Sequence, residues 1–244
     1  MPDSIPTVPR RWLVTGGSRG IGKAIAARAV LEGDRVCILS RSDEGQSTAR
    51  ELGDSAMSIV ADVTQPDSVA AAMNEVVAVW GGLDVVVNNA GLHCGGRVDA
   101  IALDDWDRTL ATNLSGPLHV IRAALPHLSA GAAILNIGAV VGYRGFPGDS
   151  CYGASKAGLA GLTQVLSAEL ASRGIRVNLV VPGFVMSEMT ATVSVRARDE
   201  IISKIPMGRM GTAEEIADVC WWVAESTYMT GSVVVTDGGL KSSL

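Results

Sequence analysis

Thr15-Gly16-Gly17-Ser18-Arg19-Gly20-Ile21-Gly22 follows the apolar run Trp12-Leu13-Val14 and opens a stretch of helix formers from Ile21 to Leu31. A strand, a glycine turn and a helix start in that order describe a cradle for a nucleotide phosphate. Glycines let the backbone turn sharply and approach a pyrophosphate. The first amides of the helix aim N–H donors and a partial positive charge at its oxygens. The spacing Gly16-x3-Gly20-x-Gly22 has a first gap one residue longer than the usual dinucleotide fingerprint.

Outward from the cradle, Glu32-Gly33-Asp34 ends the helix and Arg35–Ser40 is a short apolar strand, which completes one βαβ unit. The alternation then repeats. Helical patterns at 44–52, 66–80, 103–128 and 152–173 are interleaved with strands at 56–60, 83–87, 132–137 and 175–180, and 230–239 reads as a last strand and turn. Parallel strands need crossover helices, and those crossovers are right-handed, so the pattern specifies a sheet covered on both faces. The expected fold is α/β: a single-domain, doubly wound Rossmann fold with a seven-stranded, mainly parallel sheet. Residues 1–10, with Pro2, Pro6 and Pro9, form an N-terminal extension, and 11–244 form the domain.

Composition narrows the partners. A chain of 244 residues fills one such sheet, and a net charge of −5 gives no reason to expect nucleic acid or an anionic membrane. No apolar run approaches the ~18–20 residues of a membrane span, and the first ten residues lack the apolar centre of a signal peptide, so a soluble cytoplasmic protein is expected. Cys37, Cys94, Cys151 and Cys220 are scattered, as in a reducing compartment, and His93, His119 and His127 do not cluster at ligand spacing. No metal site is expected.

In doubly wound sheets ligands sit beyond the carboxyl ends of the strands. After the second strand stands Arg41, 19 residues beyond Gly22, where an acidic residue would bind an adenosine ribose hydroxyl and a basic one a 2′-phosphate. Together with Arg19 it selects NADP(H) over NAD(H), because guanidinium groups hold phosphate through paired hydrogen bonds. After the third strand Asp62-Val63 offers a carboxylate to the adenine amino group. After the fourth, Asn88-Asn89-Ala90-Gly91 is small and polar, which permits close backbone approach. The fifth strand leads to Tyr152-Gly153-Ala154-Ser155-Lys156, where a spacing of four puts phenol and ammonium on one helical face. The neighbouring cation is expected to draw the phenol pKa down from ~10 toward a working range.

These ordered motifs, with Asn113 and Pro182-Gly183, resemble the short-chain dehydrogenase/reductase family from about Arg11 to Gly239, and most closely its 3-oxoacyl-carrier-protein reductases and polyketide-type ketoreductases. The resemblance implies that Tyr152 gives a proton to a ketone while NADPH delivers hydride, and that Lys156 holds the nicotinamide ribose. It implies that Asn113 kinks a helix so that its carbonyl supports a proton relay. The cradle residues Gly16, Ser18, Arg19, Gly20, Ile21 and Gly22 would then bind the pyrophosphate side, with Arg41, Asp62, Val63, Asn89, Ala90 and Gly91 along the adenosine and ribose. Pro182, Gly183, Val185 and Ser187 would pack on the nicotinamide, Ser187 standing where threonine is common.

One position departs from the family. Thirteen residues before Tyr152 the family carries a serine that hydrogen-bonds the substrate carbonyl; here that residue is Ala139. A methyl group donates nothing, so a strongly impaired enzyme is expected, and the matching flanks read as an engineered Ser→Ala change rather than a natural loss. Ser150 is the candidate rescuer. The resemblance also implies a lid over 188–208, an acyl pocket touched by Tyr143, Phe146 and Met189, and a tetramer in which Trp221 or Trp222 makes a subunit contact. An acidic acyl carrier protein would dock on Arg122, Arg173 and Arg176. Pro126–Gly131 lacks the basic residues that many fatty-acid reductases carry there, which leaves room for a reductase of free ketones, sugars or steroids, and a natural Ala139 would leave room for a nucleotide-binding scaffold subunit.

Overall fold

The computed structural model of the chain describes residues 8–187, 190 and 194–243. Among these, β1 (Arg11–Thr15), β2 (Arg35–Ser40), β3 (Ala56–Val60), β4 (Leu83–Asn88), β5 (Leu128–Ile137), β6 (Arg176–Pro182) and β7 (Val233–Thr236) form one sheet. Its order is β3-β2-β1-β4-β5-β6-β7, with every neighbouring pair parallel. The chain winds outward from β1 in one direction and from β4 in the other, so the switch point lies between these two strands. The helices are α1 (Gly20–Leu31), α2 (Glu44–Leu52), α3 (Pro66–Trp80), α4 (Leu103–Leu110), α5 (Gly116–Ala124), α6 (Ser150–Ala171), α7 (Val195–Ile202) and α8 (Ala213–Glu225).

Side chains alternate across the sheet and build two cores. Leu13, Cys37, Leu39 and Val86 face a layer made with α3, α5 and the end of α6, where Val76, Ile121 and Leu170 pack. Trp12, Val14, Val36, Ile38 and Val85 face the other layer with Ala26 of α1 and Ile216 and Cys220 of α8. Burying an aliphatic side chain of this size contributes roughly 1.5–3 kcal/mol, so both faces of the central strands hold the sheet in place. Trp12 also stacks on Trp221 with centroids 5.6 Å apart, and its indole N–H donates to Asp34 at 2.6 Å. Trp222 is 55% exposed, so the two indoles of the pair point to different fates.

The expected helix 103–128 is broken. Between α4 and α5, residues Ala111–Ser115 form a π turn, closed by Gly116 N–H donating to the Ala111 carbonyl five residues back. Pro117 has no N–H to give to the carbonyl of Asn113, so the regular ladder has no donor at that oxygen, which favours widening the turn. A glycine is needed at 116, since a Cβ there would sit 2.9 Å from Val63 Cγ2. Elsewhere the boundaries move by a few residues: β5 starts at Leu128 rather than 132, α6 at Ser150 rather than 152, and β7 covers the middle of the expected run. Residues 1–7 of the N-terminal extension, Met189, and 188 and 191–193 of the 188–208 segment lie outside the described residues.

Candidate active site

The glycine turn is pressed against the end of β4. Gly16 and Gly20 take positive φ of 65° and 53°. A Cβ on Gly22 would meet the Gly16 carbonyl oxygen at 2.3 Å and Asn89 Nδ2 at 2.4 Å, and one on Gly16 would meet Ala90 Cα at 2.9 Å. Asn89 Nδ2 donates to the Thr15 and Gly16 carbonyls, both at 3.0 Å, while Thr15 Oγ1 accepts from the Asn89 and Ala90 amides at 3.0 Å. Those bonds tie together the two strand ends at the switch point. Gly20 is different: a Cβ there would find Ser187 Cβ at 3.8 Å as its nearest neighbour. Arg19 precedes α1 in extended backbone, and no side chain caps the helix. A tight, Cβ-free turn under an uncapped helix start fits a dinucleotide phosphate.

The other strand ends converge on this turn. Ser18 accepts from Thr48 Oγ1 through its carbonyl at 2.8 Å, and Ile21 packs on the α1–α8 core. Ser40 turns inward and donates to the Ser42 carbonyl, leaving Arg41 exposed beside it. Asp62 Oδ1 accepts from Thr64 N and Oγ1 at 2.9 and 2.8 Å, and Val63 is buried beneath Gly116. Gly183 lies against the turn after β7, where a Cβ would sit 2.6 Å from Asp237 Cα. Val185 pairs with Gly211, and the Ser187 amide donates to Thr190 Oγ1 at 3.0 Å.

Tyr152 and Lys156 stand one turn apart near the start of α6. Lys156 is 4% exposed; its Nζ donates to the Ile137 carbonyl at 2.7 Å and lies 5.6 Å from the centre of the Tyr152 ring. A Cβ on Gly91 would be 3.8 Å from that Nζ and 3.6 Å from Asn113 Oδ1, so the end of β4 lies in contact distance of the ammonium. Asn113, fully buried, accepts from the Leu92 amide at 2.7 Å and donates to the Leu92 carbonyl and to Ser155 Oγ. It thereby fastens the segment after β4 to α6 across the π turn. Below it, Asn88 donates to Asn136 and Asn136 to Thr163, a buried chain that fixes β4, β5 and α6.

The electrostatics correct one expectation. Burial, followed by the Asp149 carboxylate, pushes the Tyr152 phenol up to about 12 instead of down. Burial likewise pulls the Lys156 ammonium down to about 8. Both shifts have burial as their first cause, which disfavours the charged form of each group.

Ala139 begins the turn Val140–Gly142 after β5, and that turn packs on α6, where a Cβ on Gly142 would be 2.9 Å from Ala157 N. Ser150 does not compensate for it: its side chain is exposed and lines a cavity of about 590 Å³ with Gly153 and Ala154, a face of α6 that Tyr152 does not share. Tyr143 and Phe146 line the same cavity, and Phe146 also packs on Val140, Ile205 and Leu240. Among the proposed docking cations, Arg122 and Arg173 are exposed, although Arg173 donates to the Leu125 carbonyl at 2.7 Å. Arg176 is not available for docking. It spends its guanidinium on the Val223 and Ala224 carbonyls at the end of α8, at 3.1 and 2.7 Å.

Sequence reading missed a pair beside the tyrosine. His93 Nε2 lies 2.8 Å from Asp149 Oδ1, and the imidazole meets the Tyr152 ring edge-to-face, with centroids 5.0 Å apart and planes at 79°. Fifty-six residues separate the pair, so no local spacing reveals it. Among the described residues no cluster of histidine, cysteine and carboxylate groups is set to hold a metal, and no helix is long and apolar enough to cross a membrane.

The comparisons with known proteins agree with this architecture. Residues 16–241 match the family model described as enoyl-(acyl carrier protein) reductase. The 3-oxoacyl-[acyl-carrier-protein] reductase of Chlamydia muridarum is 40% identical over 96% of this chain and 98% of its own. Carbonyl reductase family member 4 of Danio rerio is also 40% identical, over 95% and 98%. A blue fluorescent protein from a metagenomic library, solved in complex with NADPH, superimposes with a TM-score of 0.90 at 33% identity, over 95% of this chain and 96% of its own. With the parallel seven-stranded sheet, the glycine cradle and the Tyr152–Lys156 helix in place, these likenesses show that the chain belongs to the short-chain dehydrogenase/reductase family and is an oxidoreductase working with a nicotinamide cofactor.

Proposed function

We propose that this enzyme reduces the ketone of a 3-oxoacyl thioester, carried on an acyl carrier protein, to the 3-hydroxyacyl form with NADPH. The observation that carries the reading is the Tyr152–Lys156 pair, one turn apart on α6 with Gly91 at the end of β4 close to the ammonium. The cradle residues would hold the cofactor's phosphates, and a nicotinamide so bound would supply a hydride to the carbonyl carbon. Tyr152 gives its phenolic proton to the carbonyl oxygen, so a C–H and an O–H bond form as the C=O double bond becomes single. Its high affinity for the proton, about 12, keeps the donor form present throughout the neutral range. Lys156, held by the Ile137 carbonyl, orients the ribose and stabilises the phenolate left behind. Asn113 holds the π turn, and its backbone carbonyl would accept from a water that leads a proton back toward Lys156. Arg41 and Arg19 select the 2′-phosphate of NADP(H), and Pro182, Gly183, Val185 and Ser187 cover the nicotinamide. The carrier-protein reading is supported by the Chlamydia muridarum relative; Arg122 and Arg173 would meet the acidic carrier. The family resemblance supports a homotetramer in the cytoplasm, with Trp222 at a subunit contact.

Ala139 withholds a donor from the developing oxyanion, a loss worth on the order of 10²–10³ in rate where nothing replaces it. The test is a substrate panel on the Ala139 protein and on Ala139→Ser, with free ketones, coenzyme A thioesters and carrier-bound acyl groups, each with NADPH and NADH. The expected result is a higher kcat for Ala139→Ser and a kcat/KM for the carrier-bound ketone at least about tenfold above the free ketone. Equal efficiency on both would favour a second reading, a free-carbonyl reductase. The engagement of Arg176 within the fold and the likeness to the Danio rerio carbonyl reductase are the observations on that side.

A further inference from the structure

We propose that the His93–Asp149 pair orients Tyr152 in place of the hydroxyl that residue 139 lacks, with His93 acting in its cationic form as a positioning residue. The inference rests on the reading of Tyr152 as the proton donor. His93 follows Gly91 by two residues, in the segment after β4, and Asp149 directly precedes α6. The two segments are tied together on either side of the pair. The Gly96 amide donates to the Gly148 carbonyl at 2.7 Å, Gly96 bridges to Asp149, and Cys151 Sγ donates to the Cys94 carbonyl at 2.9 Å. The segments that carry the ion pair are thus held by a double seam, although the His93 and Asp149 side chains keep 38% and 26% of their surface exposed.

Its position suits both halves of an orienting role. The imidazole stands nearly perpendicular to the Tyr152 ring at 5.0 Å, which restricts how the phenol can rotate. Its charge also has a target. The Asp149 carboxylate makes Tyr152 hold its proton more tightly, which keeps the phenol protonated but makes that proton harder to give. A protonated imidazole 2.8 Å from that carboxylate cancels the effect, and the same contact raises the His93 pKa, its hydrogen bond first and its charge later, against burial. Among the described residues, other ionisable groups about this place include Lys156 one turn along α6, the thiols of Cys94 and Cys151 in the seam, and exposed Arg97, which lies 3.8 Å from Asp99.

The experiment measures kcat for NADPH-dependent reduction of acetoacetyl-coenzyme A from about pH 5 to 9. The proteins are the native sequence, His93→Ala, Asp149→Asn, Ala139→Ser and the double variant His93→Ala/Ala139→Ser. His93→Ala is expected to lower kcat about tenfold in the native background and much less once Ala139→Ser supplies a hydroxyl, since two groups serving one end are not additive. In the native background kcat should fall as the pH rises through the His93 pKa. Asp149→Asn should move that limb down toward the ordinary imidazole value, and His93→Ala should remove it. Asp149→Asn keeps the size and hydrogen-bonding capacity of the side chain, so its profile decides the matter even if His93→Ala does not fold, as judged by NADPH fluorescence titration. The same loss from His93→Ala in both backgrounds, a limb unmoved by Asp149→Asn, or turnover that appears solely after Ala139→Ser would each overturn the proposal. Tyr152→Phe serves as reference: full activity in that variant would overturn the donor reading itself, whereas loss of activity there with no His93 effect overturns the positioning role alone.

Discussion

The two halves of the site are built by different means. On the β1–β4 side the cofactor cradle is made of backbone: glycines at 16 and 22 with no room for a Cβ, Thr15 and Asn89 bonding to main-chain groups, and an uncapped helix start. On the β5–α6 side the candidate reacting end is made of side chains with costs of their own, a phenol raised to about 12, an ammonium lowered to about 8, and an ion pair reaching in from elsewhere. A backbone cradle tolerates almost no substitution but asks little of electrostatics. A site built from desolvated side chains asks less of the backbone and more of the groups that surround each charge.

The contrast is most severely tested at Gly22. In Gly22→Ala the new methyl would overlap the Gly16 carbonyl and Asn89, at sites where backbone must shift. NADPH affinity is expected to fall below detection in a fluorescence titration, with a loss of stability of about 1–3 kcal/mol in urea unfolding. Unchanged binding would break the claim that the cradle is rigid backbone.

A pH profile sharpens the other half. Burial lowers the Lys156 pKa to about 8, so the cation is present below that value and is lost above it. In the Ala139→Ser, His93→Ala background, where the imidazole is absent, kcat for reduction should be flat below about 8 and fall roughly tenfold per pH unit beyond it. A profile level to pH 10 would mean that the ammonium is not needed as a charge.

Cofactor choice is expected to show the mildest effect, because Arg41 is exposed and works through solvent-screened charge. Arg41→Ala should weaken NADPH by about tenfold and leave NADH affinity within about twofold. An equal loss for both cofactors would place Arg41 in general packing.

Most of the fold is legible in the sequence because its causes are local. The apolar runs of β4 and β6 mark strands buried on both faces, and the glycine turn and the Tyr-x3-Lys spacing each lie within a few residues. The interruption between α4 and α5 is less so: Pro117 marks it in hindsight, but helical periodicity runs through it. The direction of the Tyr152 pKa was not legible at all. It depends on how much water reaches the phenol and on Asp149, and neither is a matter of spacing.

The sequence by itself determined the winding of the sheet, the phosphate cradle and the face that Tyr152 and Lys156 share, since each follows from periodicity, backbone freedom or helix geometry over short distances. Tertiary structure decided the rest. It spent Arg176 on the end of α8, turned Ser150 away from the tyrosine, and brought His93 to Asp149 across 56 residues. Those outcomes depend on which segments a folded sheet places side by side at its carboxyl edge, and on the water that this packing removes.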